Sequence, residues 1–362
     1  SNNRPEWNIA DYGMEQIGVV HVPVYPTISE TEYEHILKHS EAKMLLVSSK
    51  ERYDYIKPIT EKIVGLTDVY TFDDISGIPN FKDVLTIGEQ NAEKYKDTLE
   101  KMKNDIGEND LSSIIYTSGT TGLSKGVMIS HKNFVSNVKD AEVAVPENTE
   151  IALSFLPINH VFERMLNYLF FSMGIRVYYA ESMETIVNDI QDVKPHIFAA
   201  VPRIFERVYD KIYGKGLELK GIKRAIFFWA LKIGQKYDPT ITQSKLYYKK
   251  LKLANKLVFV KWREALGGKL NAVVSGSAAL QPRLSKVFGA AGIPVLEGYG
   301  LTETSPVIAV NRMDNIQPGT VGKVIDSGEV KIADDGEILF KGPNLMMGYY
   351  KDDDKTKEVI DS

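Results

Sequence analysis

Apolar and polar positions along the chain follow two periods. Short runs dense in β-branched residues, at 17–24 (IGVVHVPV), 42–49 (AKMLLVSS), 68–72 (DVYTF) and 111–117 (LSSIIYT), are separated by stretches with helical spacing such as SETEYEHILKHS. The alternation continues with strand-like runs at 151–158, 175–182, 196–202, 270–278 and 293–300. Strands spaced by helices predict an α/β fold, parallel sheets flanked by helices in two packed subdomains. Near the end, GEVKIADDGEILFKG sets two alternating runs around Asp-Asp-Gly, which predicts a hairpin and a change to antiparallel β. Residues 1–320 read as the α/β core and 321–362 as its β-rich end. Within the core, about 214–266 carries two long helical patterns, AIFFWALKIGQKY and KLYYKKLKLANKLVFVKWREAL, on either side of an Asp-Pro-Thr break. It reads as a helical hairpin inserted between strands.

Composition narrows the class. With 362 residues, 43% hydrophobic and 25% charged, the chain can bury a sizeable core, and no run approaches the length of a membrane span, so disordered, collagenous and transmembrane-helix classes are excluded. The absence of cysteine rules out a disulfide framework, thiolate metal ligands and a cysteine nucleophile, and points to a reducing compartment, the cytoplasm by default. The opening SNNRPEWNIADYG has no secretory pattern and no initial Met, and the ending YYKDDDKTKEVIDS marks no folding boundary, so the chain reads as a piece of a longer protein.

The formal net charge of −4 argues against a general nucleic-acid binder, but its distribution is uneven. Between Lys220 and Arg263 twelve basic residues face the single acid Asp238, interleaved with Phe227, Phe228, Trp229, Tyr247, Tyr248, Phe259 and Trp262. That mixture suits a peripheral membrane contact on the inner membrane face, with lysines at anionic headgroups and aromatics at the boundary. It equally suits a solvated helix face whose apolar side packs on the domain. No nucleic-acid motif accompanies the charge, so that partner is set aside.

The chemistry concentrates in four places. Tyr116–Gly126, YTSGTTGLSKG, follows a strand and combines three glycines, five serine or threonine hydroxyls and Lys125. Glycines let backbone N–H groups turn inward around an anion, hydroxyls donate, and a lysine neutralises polyphosphate charge. Thr117, Ser118, Gly119, Thr120, Thr121, Gly122 and Lys125 are therefore candidate nucleotide ligands. The spacing is not that of a Walker A loop, because Ser124 stands where the second glycine belongs and Gly126 where the hydroxyl belongs. The bland alternative, a flexible linker, does not explain a position directly after a buried-type strand. A second element, Glu297-Gly298-Tyr299-Gly300-Leu301-Thr302-Glu303, offers a flat aromatic face for a purine, glycines for close approach, a hydroxyl for a phosphate and a carboxylate for Mg²⁺. It also reads as a strand-to-helix turn with Thr302 as cap. The third is Leu156-Pro157-Ile158-Asn159-His160, and the fourth is Gly276-Ser277-Ala278, which closes a strand.

These four stretches together resemble the motifs of the adenylate-forming enzymes, the superfamily of acyl-CoA synthetases, luciferases and adenylation domains. The chain is similar to the large N-terminal domain of that superfamily. VPRIFERVYDKIYGKG, the basic insertion and LGGKLNAVVSGSAAL look most like long-chain fatty acyl-CoA synthetases. The resemblance implies ATP-dependent conversion of a long-chain fatty acid to an acyl-adenylate, followed by transfer to coenzyme A. It implies that the Thr117–Lys125 loop holds the leaving phosphates, that Thr302 meets the α-phosphate, and that Glu303 and Thr117 hold Mg²⁺. Tyr299 stacks near adenine, Gly276, Ser277 and Ala278 line the adenine site, and His160 helps place the carboxylate. Phe162, Val201 and Pro202 are the candidate acyl-pocket residues, with ordinary core packing as the alternative for each. The superfamily continues into a ribose-binding Gly-Asp motif and a small C-terminal domain bearing the adenylation lysine, and the sequence ends before both, so this stretch alone is expected to adenylate poorly. Two other readings stay open: a fatty acyl-AMP ligase that passes its product to a carrier protein, and a non-catalytic nucleotide- or acyl-binding module.

Overall fold

A computed structural model of the protein describes residues 1–117 and 122–361. In chain order its strands are β1 Met44–Val47, β2 Asp68–Thr71, β3 Leu111–Thr117, β4 Lys125–Ser130, β5 Ile151–Ser154, β6 Arg176–Tyr179, β7 Ile197–Ala200, β8 Ala272–Ser275, β9 Val295–Gly300, β10 Val307–Val310, β11 Lys323–Val324, β12 Glu329–Ile332, β13 Ile338–Lys341 and β14 Gly348–Tyr349. They belong to two compact units. One comprises Ser1–Val135, Pro157–Val161 and Asn344–Ser362, and the other Ser136–Leu156 and Phe162–Pro343.

The first unit holds a parallel pair, β1–β2, and an antiparallel sheet in the order β14–β4–β3. Its organising helix is Glu30–His39. Ser29 caps it by accepting from the Glu32 N–H at 3.2 Å, with acids in the first turn and Lys38 and His39 in the last, the arrangement that complements the helix dipole. Two faces of this helix are used. Tyr33 and Leu37 pack with Val47, Ile56 and Ile59, whereas Ile36 packs with Ile114 and Tyr116 of β3.

In the second unit the strands run β11–β10–β9–β8–β7–β5–β6. From β6 through β9 the neighbours are parallel, and β10 and β11 add an antiparallel edge. Side chains alternate between two cores, as the pleat requires: Phe198, Ala200 and Val273 enter one cluster, and Ile197, Ala199 and Val274 the other. Because both faces are covered, these strands read in sequence as unbroken apolar runs.

Between the adjacent parallel strands β7 and β8 the chain makes a long helical excursion: Pro202–Glu218, Gly221–Gln235, Lys245–Ala254, a π-turn at Asn255–Phe259, and Val260–Ala265. Phe227, Ala230, Leu231, Ala254, Phe259 and Trp262 pack against Leu284, Val287 and Phe288 in one core. The end of helix Pro282–Ala290 is tied to the excursion by Asn255 Nδ2, which donates to the Ala290 carbonyl at 2.9 Å, and by Arg263 Nη1, which donates to the Ala291 carbonyl at 2.5 Å. The interfacial role expected for the aromatics is therefore corrected for most of them. Phe227, Tyr247, Phe259 and Trp262 are buried, Phe228 and Trp229 are partly buried, and only Tyr248 of the seven is exposed.

Two local differences from the sequence reading have physical causes. Residues 17–24 form no strand; one bridge, His21 to Ser113, is all that pairs, with Gly18 in a left-handed conformation and Pro23 lacking an N–H. LSSIIYT lies in the antiparallel sheet, paired with Lys125–Ser130, a strand that the short KGVMIS run did not advertise. The hairpin at β12–β13 forms as expected, with Gly336 at positive φ in its turn. Among the described residues no helix is long and apolar enough to cross a membrane.

Phe259 has no exposed surface and lies where the excursion meets the sheet core. Phe259→Ala is expected to cost about 3–5 kcal/mol of stability in urea unfolding. A loss below about 1 kcal/mol would show that the excursion is not part of the cooperative core.

Candidate functional site

In the first unit, β3 and β4 pair with Thr117 directly opposite Lys125, so the ladder closes at the base of the glycine-rich loop. After the loop the chain re-enters a strand, β4, and not a helix. Ser118, Gly119, Thr120 and Thr121 lie outside the described residues. Lys125 Nζ sits 4.3 Å from the centre of the Tyr349 ring. Gly126 is required by close packing: a Cβ there would come 2.7 Å from Ile114 Cγ2 and 3.3 Å from Tyr116 Cζ. The Ser124 hydroxyl is buried and has no hydrogen-bond partner among the described residues, the condition of a donor awaiting an acceptor.

His160 belongs to the same unit. Its N–H donates to the Pro157 carbonyl at 2.9 Å in a turn whose Ile158 N–H donates to Asn3 Oδ1 at 3.0 Å. Its ring meets the edge of Tyr25 at 6.5 Å. Burial holds the imidazole below its usual range, so at neutral pH it is an uncharged donor and acceptor. The same desolvation pushes the Tyr25 phenol up to about 12.

In the second unit, the remaining candidates stand where three neighbouring parallel strands end. Ala200, Ser275 and Glu297 are level across β7, β8 and β9. Beyond them the chain continues into Val201–Pro202, Gly276–Ala278 and Tyr299–Glu303. The carboxyl ends of parallel strands are where α/β sheets bind ligands, because the loops there are free to diverge. Phe162 and Val201 pack at the edge of one core cluster, and the Phe162 ring covers Gly276, where a Cβ would meet it at 3.2 Å. Pro202 is buried as the first residue of its helix. Ser277, at φ 69°, and Ala278 are exposed.

The Glu297–Glu303 segment departs from its sequence reading in two respects. Gly300 is dictated by the neighbouring strand, since a Cβ would fall 1.7 Å from the Pro306 carbonyl oxygen. Thr302 does not cap the turn that follows. Thr304 does so, accepting from the Leu301 N–H at 3.0 Å and donating to the Pro306 carbonyl at 2.6 Å, so the Thr302 hydroxyl is not consumed as a cap. Glu297 is buried and its carboxyl is raised by desolvation, while it accepts from the Gly319 N–H at 3.4 Å. Among the described residues no three His, Asp or Glu side chains converge to hold a metal ion. Mg²⁺ bound through one carboxylate, with water and substrate phosphates completing its shell, needs no such cage, and Glu303 beside Thr302 fits that donor set.

Sequence reasoning passed over Glu163. It sits within the apolar helix Val161–Ser172, is 2% exposed, and its carboxyl is pushed up to about 8 by burial, with opposing hydrogen bonds from Ser154, Asn167 and the Phe155 backbone. The adjacent Arg164 is fully buried and its Nε donates to Tyr168 Oη at 2.9 Å. An acid–base pair inside the run VFERMLNYLFF was the available signal.

Residues 1–350 match the family model described as AMP-binding enzyme. The chain belongs to that family. It is 32% identical, over 99% of its length and 60% of the relative's, to the long-chain-fatty-acid–CoA ligase FadD15 of Mycobacterium bovis, and 30% identical, over 99% and 56%, to fatty acyl-CoA synthetase A of Dictyostelium discoideum. It thus spans somewhat more than half of these curated relatives. Among solved structures it superposes on a long-chain-fatty-acid-CoA ligase (FadD1) from Archaeoglobus fulgidus with TM-score 0.69 at 21% identity, covering 99% of this chain and 65% of that one. The N-terminal domain of FACL13 from Mycobacterium tuberculosis gives 0.68 at 18%, covering 99% and 79%. These likenesses establish the α/β fold of an adenylate-forming N-terminal domain, as the sequence motifs implied.

The raised carboxyl of Glu163 has a defined pH signature. The folded state keeps the proton up to about pH 8 while the unfolded chain releases it near 4.5, so this group favours folding most below 4.5 and progressively less as pH rises to 8. Glu163→Gln retains the shape and the hydrogen bonds, and is expected to remove up to about 1.4 kcal/mol per pH unit from the slope of stability across that window. Denaturant midpoints from pH 5 to 8.5 test this, and an unchanged slope would mean that Glu163 is ionised in the fold.

Proposed function

We propose that the chain is the nucleotide-binding part of an AMP-forming acid–thiol ligase that activates long-chain fatty acids for fatty acid metabolism. The observation that carries this is the loop base in which Thr117 pairs opposite Lys125, next to the buried Ser124 hydroxyl that has no partner among the described residues, in a chain of the AMP-binding family. Its similarity to long-chain-fatty-acid–CoA ligases supports the substrate class.

In this reading a carboxylate oxygen of the fatty acid attacks the α-phosphorus of ATP, and the bond from that phosphorus to the bridging oxygen of the β-phosphate breaks. The products are acyl-adenylate and pyrophosphate. The thiolate of coenzyme A then attacks the acyl carbon and AMP leaves. Lys125 and the loop N–H groups neutralise the departing pyrophosphate, and the Thr302 hydroxyl donates to the α-phosphate, where charge develops. The neutral His160 imidazole orients the carboxylate. Tyr299 and the Gly276–Ala278 backbone receive the adenine, and Phe162, Val201 and Pro202 border the acyl chain. Glu303 would hold Mg²⁺, with Thr117 as the other candidate ligand, and the ion would supply charge neutralisation at the phosphates.

The protein acts in the cytoplasm, peripherally on the inner membrane face. What supports this is the helix Lys245–Ala254 and its extension. Leu246, Leu253 and Leu257 are 61%, 48% and 43% exposed, and Lys249, Lys250, Lys252 and Lys256 lie around them with no acid between. Leucines flanked by lysines suit the boundary of an anionic bilayer, into which a long-chain acid partitions.

Two experiments follow. Pyrophosphate release by the full native protein, with ATP, Mg²⁺ and acids of graded length, is expected to need a long-chain acid and to fall about 100-fold or more in Lys125→Ala and Glu303→Ala. Thioester formation on adding coenzyme A completes the reading. Adenylate without thioester would assign a carrier-protein acceptor, and no release with any acid would leave a binding module. Co-sedimentation with phosphatidylglycerol vesicles is expected to fall about tenfold in Leu253→Glu/Leu257→Glu and in high salt. Equal partition onto phosphatidylcholine, or none onto either, would overturn the membrane contact.

A further inference from the structure

Two histidines that the sequence reading passed over lie under the base of the glycine-rich loop. His35 and His39 are four residues apart on the helix Glu30–His39, so they share one face, and their rings stack at 5.3 Å with 19° between planes. His35 Nε2 lies 3.0 Å from the carbonyl oxygen of Ser124. A carbonyl only accepts, so Nε2 carries the proton and donates. His39 Nδ1 lies 2.7 Å from the hydroxyl of Tyr116. Burial raises the Tyr116 phenol, which stays protonated and shares this hydrogen bond with the imidazole.

The two contacts fall on opposite stems of one loop. Tyr116 precedes Thr117 at the end of β3, and Ser124 precedes Lys125 at the start of β4. The histidines are themselves held in place. The Tyr350 ring meets His39 edge-on at 5.5 Å, and Lys351 Nζ donates to the His39 carbonyl at 3.1 Å and pairs with Glu41 at 2.7 Å. The Tyr350 N–H in turn donates to the Gly126 carbonyl at 2.8 Å. The Tyr116 ring therefore lies between the histidines and Gly126, where a Cβ would come 3.3 Å from its Cζ.

We infer that His35 and His39 are positioning residues for nucleotide binding: through the Ser124 carbonyl and the Tyr116 hydroxyl they fix both stems of the loop and so set where Lys125 presents its ammonium to a polyphosphate. The inference rests on the phosphate-binding reading of this loop proposed above. The Ser124–Lys125 peptide is the direct link, because orienting its carbonyl toward His35 orients the backbone from which Lys125 departs. A hydrogen bond to this carbonyl adds little fold stability that a sheet lacks, but its loss frees a charged ligand, which shows in nucleotide affinity.

The test measures Mg·ATP affinity by titration calorimetry, KM and kcat for ATP and for the fatty acid, and melting temperature, in the full native protein and in His35→Phe, His35→Gln, His39→Phe and Lys125→Ala. His35→Phe is expected to weaken ATP binding about tenfold, the loss of one well-placed hydrogen bond, leaving the fatty-acid KM unchanged. His35→Gln keeps a donor at the same reach and is expected to recover affinity to within about threefold of the native value. In the Lys125→Ala background His35→Phe is expected to add less than about twofold, since the two act through one group. His39→Phe gives an independent arm with the same pattern, which stands if a His35 variant melts early. If Lys125→Ala leaves ATP affinity unchanged, the phosphate-loop reading itself fails. If Lys125→Ala weakens ATP binding while the histidine variants do not, or if they lower melting temperature and both substrates' affinities alike, the histidines are structural and this inference fails.

Discussion

The arrangement of the second unit depends on the backbone ladder that joins β7, β8 and β9 in parallel. That ladder sets Ala200, Ser275 and Glu297 level, so the segments leaving all three strands begin at one edge of the sheet. Parallel strands release their chains at the same end, and the loops that follow are relieved of pairing there. The candidate residues Val201, Gly276 and Thr302 owe their common placement to this register and not to any contact between their side chains. A slip of one residue in β8 would also exchange Val273 and Val274 between the two cores, so the burial that holds the sheet and the placement of the site share one constraint.

The glycine-rich loop of the first unit is supported differently. It spans two antiparallel strands, so its ends are held by the Thr117–Lys125 pairing, by the Tyr116 ring over Gly126 and by the two histidines beneath. A strand-to-helix loop draws on the partial positive charge of a helix N-terminus. Here the chain re-enters a strand, Lys125–Ser130, and the lysine stands at its first position.

The helical excursion between β7 and β8 shows how one composition serves two ends. Its aromatic residues fill the core beside Phe288, and the Asp238–Lys286 ion pair at 2.8 Å adds a polar tie to the same helix. What it leaves outward is lysine with leucine. Most of the charge excess read from the sequence therefore lies on the outer face, whereas Arg263 turns inward to the Ala291 carbonyl.

The sequence by itself determined the α/β class, the family motifs and most strands, because both signals are local: period-two burial marks a strand wherever it lies, and a dense run such as YTSGTTGLSKG needs no partner to be noticed. The β12–β13 hairpin was legible for the same reason, its turn chemistry being carried by Asp334, Asp335 and Gly336. Tertiary structure decided what depends on distant residues. It decided that LSSIIYT pairs antiparallel with KGVMIS, that residues 17–24 form one bridge in place of a strand, that Gly300 answers to Pro306, and that Tyr247, Phe259 and Trp262 face inward. It also made functional candidates of His35, His39 and Glu163, whose meaning lies in a carbonyl 89 residues away, a hydroxyl 77 residues away and the desolvation of a closed core. Burial and hydrogen bonding across such separations follow from the register of whole elements, and no local pattern carries that information.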